Sequence, residues 1–394
     1  MKKNPNRFAS IILAVLFLTI FVVGVMSFNN SPVVASSGDS KTTTDEITEG
    51  KGVISSRGTD KQLTVASQPW SKERMEAAIP YPLEPLDGKP DANIELAQSD
   101  NLPGLIPSMP PEGANITTNV EKEAAILSNT APLNYTYPAP YTQYENFDSY
   151  KVFPYSTIGV LFFRQYGVDY RCSAASIGNF AIWTAGHCIH AGDNSESGWS
   201  SNVIFVPAYK NGNAPLGVWT ADNHKLKTRT EWYASMDLRF DIAGAILNTN
   251  SSGESISQVV GNLGFAYNLP NNQHWFSFGY PAQSPFDGKT QEICTSSFAY
   301  SDGSFFAPPY PSGVGCNMTP GSSGGPWINQ FGGPAGSSNY LNGNNSYRYI
   351  SHPEEMFSPY FGNEAKVLLD GLLADAPLLG DNPLMEINLP IISK

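Results

Sequence analysis

Three short strings in this sequence carry side chains able to act on an acyl group. AIWTAGHC brings an apolar run to His187, RFDIAGAIL opens another at Asp241, and GSSGGP sets Ser323 among glycines. A serine hydroxyl is a weak nucleophile until a base takes its proton, and an imidazole that titrates near neutrality suits that task. A carboxylate on the other ring nitrogen fixes the tautomer and stabilises the imidazolium. Glycines beside the serine let the backbone turn sharply and present bare N–H groups, which a developing oxyanion needs. Acyl transfer from a carbonyl is the chemistry such a set would perform.

Each string also has a plainer reading. A His next to a Cys is more commonly structural or a metal ligand. His187 and His190 form H-x-x-H, but no Glu or third ligand stands at metal spacing, so no metal is expected. GSSGGP satisfies G-x-S-x-G, the nucleophile elbow of α/β-hydrolases. An elbow, however, needs a strand before it and a helix after it, with the order Ser, acid, His. Here CNMTP precedes, Gly324-Gly325-Pro326 follows, and His187 lies far upstream. Asp222 and Asp237 compete with Asp241, but both sit in polar surroundings. Asp241 leads straight into an apolar strand, where a carboxylate is costly without a partner.

These residues must be held by strands. From about Tyr150 the chain reads STIGVLFFRQ, RCSAASIG, FAIWTAG, NVIFVPAY, DIAGAILN and WFSFGYP, short runs rich in β-branched and aromatic residues and separated by Gly, Asn, Pro and Ser. That texture predicts an all-β sandwich or barrel. One late stretch, Phe357 to Leu373, reads as an amphipathic helix with Val367, Leu368, Gly371 and Leu372 on one face.

The rest of the chain sets the context. Lys2, Lys3 and Arg7 precede an apolar run from Ile11 to Met26, and Val33-Val34-Ala35 fits a signal-peptidase site. Residues 1–35 are therefore expected to be a signal peptide, with a retained signal anchor as the alternative and the only expected membrane contact. Export places the four Cys where they can form two bridges. Residues 36–147 are Pro-rich with no sustained period, which predicts a propeptide of low order, with short helical patches near Ser71–Ala78 and Val120–Leu127. Residues 148–375 form the expected catalytic domain and 376–394 a tail. With 35 Gly, 31 Pro and only 15% charged residues, coiled coils and helical bundles are disfavoured. A net charge of −12 repels phosphate backbones, so no nucleic-acid partner is expected.

Taken in the order His, Asp, Ser, the strings T-A-G-H-C, D-I-A and G-x-S-G-G-P resemble the chymotrypsin/trypsin-type serine endopeptidases; FVPAYKNG, CNMTPGSSGGPW and SPYFGNE are most similar to their secreted microbial branch, which includes the glutamyl (V8-like) endopeptidases. The resemblance spans Tyr150 to Leu373. It implies an all-β fold of two six-stranded antiparallel β-barrels closed by a C-terminal helix, with the site in the cleft between them. It implies Ser323 as nucleophile, His187 as general base and then acid, and Asp241 as the residue that orients His187. The N–H groups of Gly321 and Ser323 would form the oxyanion hole. Bridges Cys172–Cys188 and Cys294–Cys316, protein or peptide substrates, a monomer and no cofactor are also implied.

Three positions depart from the family. Ser322 stands where the animal enzymes carry an Asp that pairs with the new N-terminus, and Asn317 where trypsin-like specificity requires an Asp. The region in which glutamyl endopeptidases read the substrate with a His offers Asn345 and Ser346, which are expected to line the substrate pocket. Two readings from other classes remain at this stage. One is an exported esterase or amidase of the same fold, which would turn over small esters without cutting proteins. The other is a catalytically silent binding scaffold, which would ordinarily lack one of the three catalytic residues.

Overall fold

In the computed structural model, residues 52–56, 69–81, 85–93, 101–114, 137–305 and 307–377 are described. The expected signal segment, the helical patch at 120–127 and the tail beyond 377 lie outside them. Among the described residues no helix is long and apolar enough to cross a membrane.

Six short strands come first: β1 (Val53–Ser55), β2 (Ile79–Pro80), β3 (Pro85–Leu86), β4 (Ala92–Asn93), β5 (Gly104–Ile106) and β6 (Tyr141–Glu145). Six more build one module: β7 (Ile158–Gln165), β8 (Val168–Ser176), β9 (Ala181–Thr184), β10 (Ser201–Pro207), β11 (Trp219–Arg229) and β12 (Ala243–Leu247). The second module has β13 (Gly264–Tyr267), β14 (His274–Gly279), β15 (Glu292–Asp302), β16 (Ser312–Gly315), β17 (Pro326–Asn329), β18 (Tyr340–Asn344), β19 (Tyr347–Tyr349) and β20 (His352–Ser358). The fold is mostly β, as the sequence texture predicts.

Strands β7 to β12 close on themselves. The antiparallel order β11-β10-β7-β8-β9-β12 is completed by a β11–β12 pairing, giving the expected six-stranded barrel. Side-chain alternation explains why these strands are buried on both faces. Leu161 and Phe163 of β7, Cys172 and Ala174 of β8, and Ala243, Ala245 and Leu247 of β12 fill the barrel. Their neighbours Ile158, Val160, Phe162, Ala175 and Ile246 point outward into a second core shared with Phe265, Phe278, Ile328 and Leu341 of the other module. Strands β13 to β20 form one sheet in the order β19-β20-β16-β15-β14-β17-β18-β13. Among the described residues its two end strands do not pair with each other, because β5 takes the edge of β13 and β3 the edge of β19.

In the upstream region the helical patch expected near Ser71–Ala78 is a helix, Lys72–Ala77, capped by Ser71, while short strands that the sequence did not suggest borrow edges from the two modules. Strand β2 pairs with β8, and β6 pairs with β15 over Glu292–Ser296. Two- and three-residue strands at sheet edges tolerate proline, since only one side needs an N–H. Strand β6 falls inside the expected propeptide, yet by register it belongs to the second sheet.

The late helix is also shorter than predicted. It runs Asn363–Ala374, and Phe357 and Ser358 end β20 instead. Pro359 and Gly362 stop a helix from starting earlier. The buried face is Ala365, Leu368, Leu369 and Leu372, packed into the shared core, whereas Val367 is half-exposed.

Strand β6 brings Glu145 directly opposite Glu292, which also accepts from Gln143 Nε2. Burial first, and Glu145 second, push the Glu292 carboxyl from 4.5 up to about 7. The fold thus prefers the protonated form. This contribution to stability is complete below about pH 4.5 and is lost as pH rises through about 7. Glu292→Gln should raise the thermal midpoint at pH 8 and leave it unchanged near pH 4.5; equal shifts at both pH values in thermal scans would contradict this account.

Candidate active site

His187 sits on the first turn after β9, in a four-residue helix, Gly186–Ile189. The preceding Gly186 has a steric reason. A β-carbon there would lie 2.7 Å from the Trp232 ring and 2.8 Å from Asp241 Oδ1. Asp241 follows a single 3₁₀ turn, Leu238–Phe240, just before β12. Because β12 pairs with β9, with Ala243 opposite Thr184, the two catalytic candidates arrive side by side.

The Asp241 carboxylate has no solvent exposure and is fully engaged. Its Oδ1 accepts from the His187 backbone N–H at 2.9 Å, and Oδ2 lies 2.8 Å from His187 Nδ1. Ser346 Oγ donates to Oδ2 at 2.5 Å. In the tautomer that directs Nδ1–H at the carboxylate, Nε2 carries the free lone pair. The rival carboxylates are elsewhere. Asp237 holds Arg239 at 2.6 Å, and Asp222 pairs with His224 and Lys225.

Ser323 lies on a loop between β16 and β17 that both modules hold. Ser173 of β8 donates its N–H to the Ser323 carbonyl at 2.7 Å and its Oγ to the Gly321 carbonyl at 2.9 Å. The Pro320 carbonyl accepts from Ala282 N–H, and the Ser322 carbonyl accepts from Gly325 N–H and Asn345 Nδ2. In a trans peptide the C=O and N–H point opposite ways. The N–H groups of Gly321 and Ser323 are therefore turned away from these partners. Gly321 adopts φ +100°, a conformation side chains rarely take.

Two reactive atoms are left without a hydrogen-bond partner although both are buried: His187 Nε2 and Ser323 Oγ. Buried polar atoms are nearly always paired, and the exceptions call for a functional explanation. Over the imidazole lies Tyr81 of the upstream region, stacked with ring centroids 5.2 Å apart and planes at 25°. Nothing in the sequence strings pointed to Tyr81.

The two pocket candidates find other work. Asn345 Oδ1 accepts from Ser277 Oγ and Trp327 Nε1, and its Nδ2 donates to the carbonyls of Phe278 and Ser322. That carboxamide is saturated by the protein, and the Ser346 hydroxyl is engaged by Asp241, so burial has both side chains satisfying neighbours first. Asn317 is half-buried beside the Cys294–Cys316 bridge, with Oδ1 3.9 Å from Cys294 Sγ. Both expected disulfides are formed. Cys172, Cys188 and His187 cluster closely, but bridged sulfurs offer no thiolate to a metal. His190 uses both ring nitrogens internally, on Ser195 C=O and Gly192 N–H, and burial holds its pKa below the usual value.

No protein-family model matches the sequence, and no curated protein does. Solved structures do. Protease Anisep from Arthrobacter nicotinovorans is 37% identical, over 96% of that chain and 56% of this one, with a TM-score of 0.48. The chain belongs to the chymotrypsin-like serine proteases. A thermostable serine protease, AL20, from an extremophilic microorganism is 35% identical over the same shares, with a TM-score of 0.49. A Glu endopeptidase in complex with MPD is 15% identical, with a TM-score of 0.44, too distant for its name to bear on specificity here.

Within this chymotrypsin-like protein the Asp241 carboxylate serves three donors. Asp241→Ala should lower stability by at least about 2 kcal/mol, because the donors it leaves are buried. Asp237→Ala, which removes a half-buried ion pair and the cap of a 3₁₀ turn, should cost about 1 kcal/mol. Urea unfolding of both variants measures the contrast, and equal losses would show that Asp241 is not the structural centre of the site.

Proposed function

We propose that this protein is a secreted serine endopeptidase that cleaves peptide bonds through an acyl-enzyme on Ser323. The observations that carry this reading are the buried Asp241–His187 pair, whose Nε2 has no partner among the described residues, and the buried Ser323 Oγ, which has none there either.

In this reading Nε2 of His187 takes the Ser323 proton as Oγ bonds to the scissile carbonyl carbon. The carbonyl oxygen becomes an oxyanion, which accepts from the N–H groups of Gly321 and Ser323. Asp241, steadied by Ser346, keeps Nδ1–H in place and stabilises the imidazolium. Nε2–H then passes its proton to the leaving amine as the C–N bond breaks. Water, deprotonated by the same Nε2, releases the acyl group, and the serine regains its proton.

Two disulfides and the basic-then-apolar start of the sequence support export. Ser322 Oγ donates to the Thr319 carbonyl, so the position offers a new N-terminus no carboxylate. Maturation accordingly depends on removing upstream chain rather than on forming that ion pair. Because β6 pairs with β15, the mature chain is expected to begin before Tyr141, earlier than the 147/148 boundary suggested by composition.

The exported protein treated with a fluorophosphonate should carry one adduct, on Ser323, and Ser323→Ala should carry none. The processed wild type should cut a denatured protein substrate, with the alanine variant slower by at least about 10³. Turnover of small esters with no cleavage of denatured protein would favour an esterase of the same fold. Absence of an adduct in processed, folded protein would remove the enzyme reading.

A further inference from the structure

The upstream region touches the site at two sheet edges, and the chain between those contacts is short. Tyr81 N–H donates to the Arg171 carbonyl at 2.9 Å, continuing the β2–β8 pairing of Ile79 with Tyr170 and Pro80 with Arg171. Four residue steps later Pro85 and Leu86 pair with Arg348 and Tyr349 of β19, and the Leu86 carbonyl accepts from Ile350 N–H. Four steps span no more than about 14 Å. The two edges adjoin the groups that support catalysis. Arg171 is two residues before Ser173, which holds the Ser323 carbonyl, and Arg348 is two residues after Ser346, which holds Asp241.

The first contact is firmly anchored. Arg74 makes a two-pronged ion pair with Asp169 at 2.8 and 2.9 Å and lies 3.9 Å over the Trp70 ring. Trp70 Nε1 donates to the Asn202 carbonyl, and Met75 is buried in the shared core. These contacts place Tyr81, whose hydroxyl donates to Gln165 Oε1, flat on the imidazole. His187 beneath that ring is only 2% exposed, and Ser323 has no exposure. Extended peptides bind proteins by adding strands to open sheet edges, and here both edges beside the nucleophile are already occupied.

From this arrangement we infer that residues 69–81 and 85–86 act as a built-in occupant of the substrate cleft. The segment lays extended backbone on the β8 and β19 edges and caps His187 with Tyr81, so the uncut chain is latent until the segment leaves. The surface it covers is a peptide-binding surface, and its partner is this segment of the same chain. Pairing to both edges is parallel, and Pro80 and Pro85 withhold N–H groups there, which sets the occupant apart from a freely exchanging peptide. The inference rests on Ser323 being the nucleophile.

The test compares fluorophosphonate labelling rates of the full-length chain in three forms, wild type, Tyr81→Ala and Arg74→Ala, with the processed species that lacks residues 69–86. Full-length wild type should label at least tenfold more slowly than the processed species. Both substitutions should raise the full-length rate at least tenfold, Tyr81→Ala by uncapping His187 and Arg74→Ala by loosening the anchor. Tyr81→Ala leaves the anchor intact, so a folding failure of one variant leaves the other informative. Full-length wild type labelling as fast as the processed species would overturn the latency and leave the nucleophile standing. No labelling in any form, the processed one included, would overturn the nucleophile assignment and this inference with it.

Discussion

A carboxylate with no access to water is the constraint on which the site depends. Burying Asp241 is expensive unless donors surround it, and the chain supplies three from different places: the His187 backbone, the His187 ring and the Ser346 hydroxyl. One donor set comes from the turn after β9 and the other from the turn between β18 and β19. The two modules are thereby drawn together at one oxygen pair. The imidazole is oriented by the same interaction that makes the buried carboxylate tolerable, so stability and the orientation of that ring are here a single requirement.

The loop that carries Ser323 follows the same logic at one remove. Ser173 reaches across from the barrel to hold the Ser323 and Gly321 carbonyls, while Asn345 ties the Ser322 carbonyl to β14 and to Trp327. The fixed Pro320 and Ser322 carbonyls turn the N–H groups of Gly321 and Ser323 the opposite way, so in the proposed reaction that pair would meet the oxyanion already oriented.

Part of this was legible in the sequence for a physical reason: His187 and Asp241 stand beside the ends of β9 and β12 and Ser323 on the loop before β17, each in a short recognisable string. The closed barrel followed from alternating apolar runs, and both disulfides from the family's pattern. What escaped the sequence was contact made at long range. Ser346 and Asn345 look like pocket residues in a polar string, and only burial shows that neighbours consume them. The edges filled by the Pro-rich stretch were hidden because a two-residue strand has no period to detect. The helix start at Asn363 was misplaced because apolar residues of β20 run into the helical pattern without a change in texture.

The outward faces of β7, β8 and β12 share one core with β13, β14, β17, β18 and the C-terminal helix. A strand whose alternate residues serve two cores cannot peel away from one without opening the other. The two modules are therefore one cooperative unit rather than two domains joined by a cleft, and the protein should have few partly open states below global unfolding. Such a molecule owes its lifetime to the height of a single barrier. Cuts in exposed loops need not shorten that lifetime, since the loops lie outside the shared core.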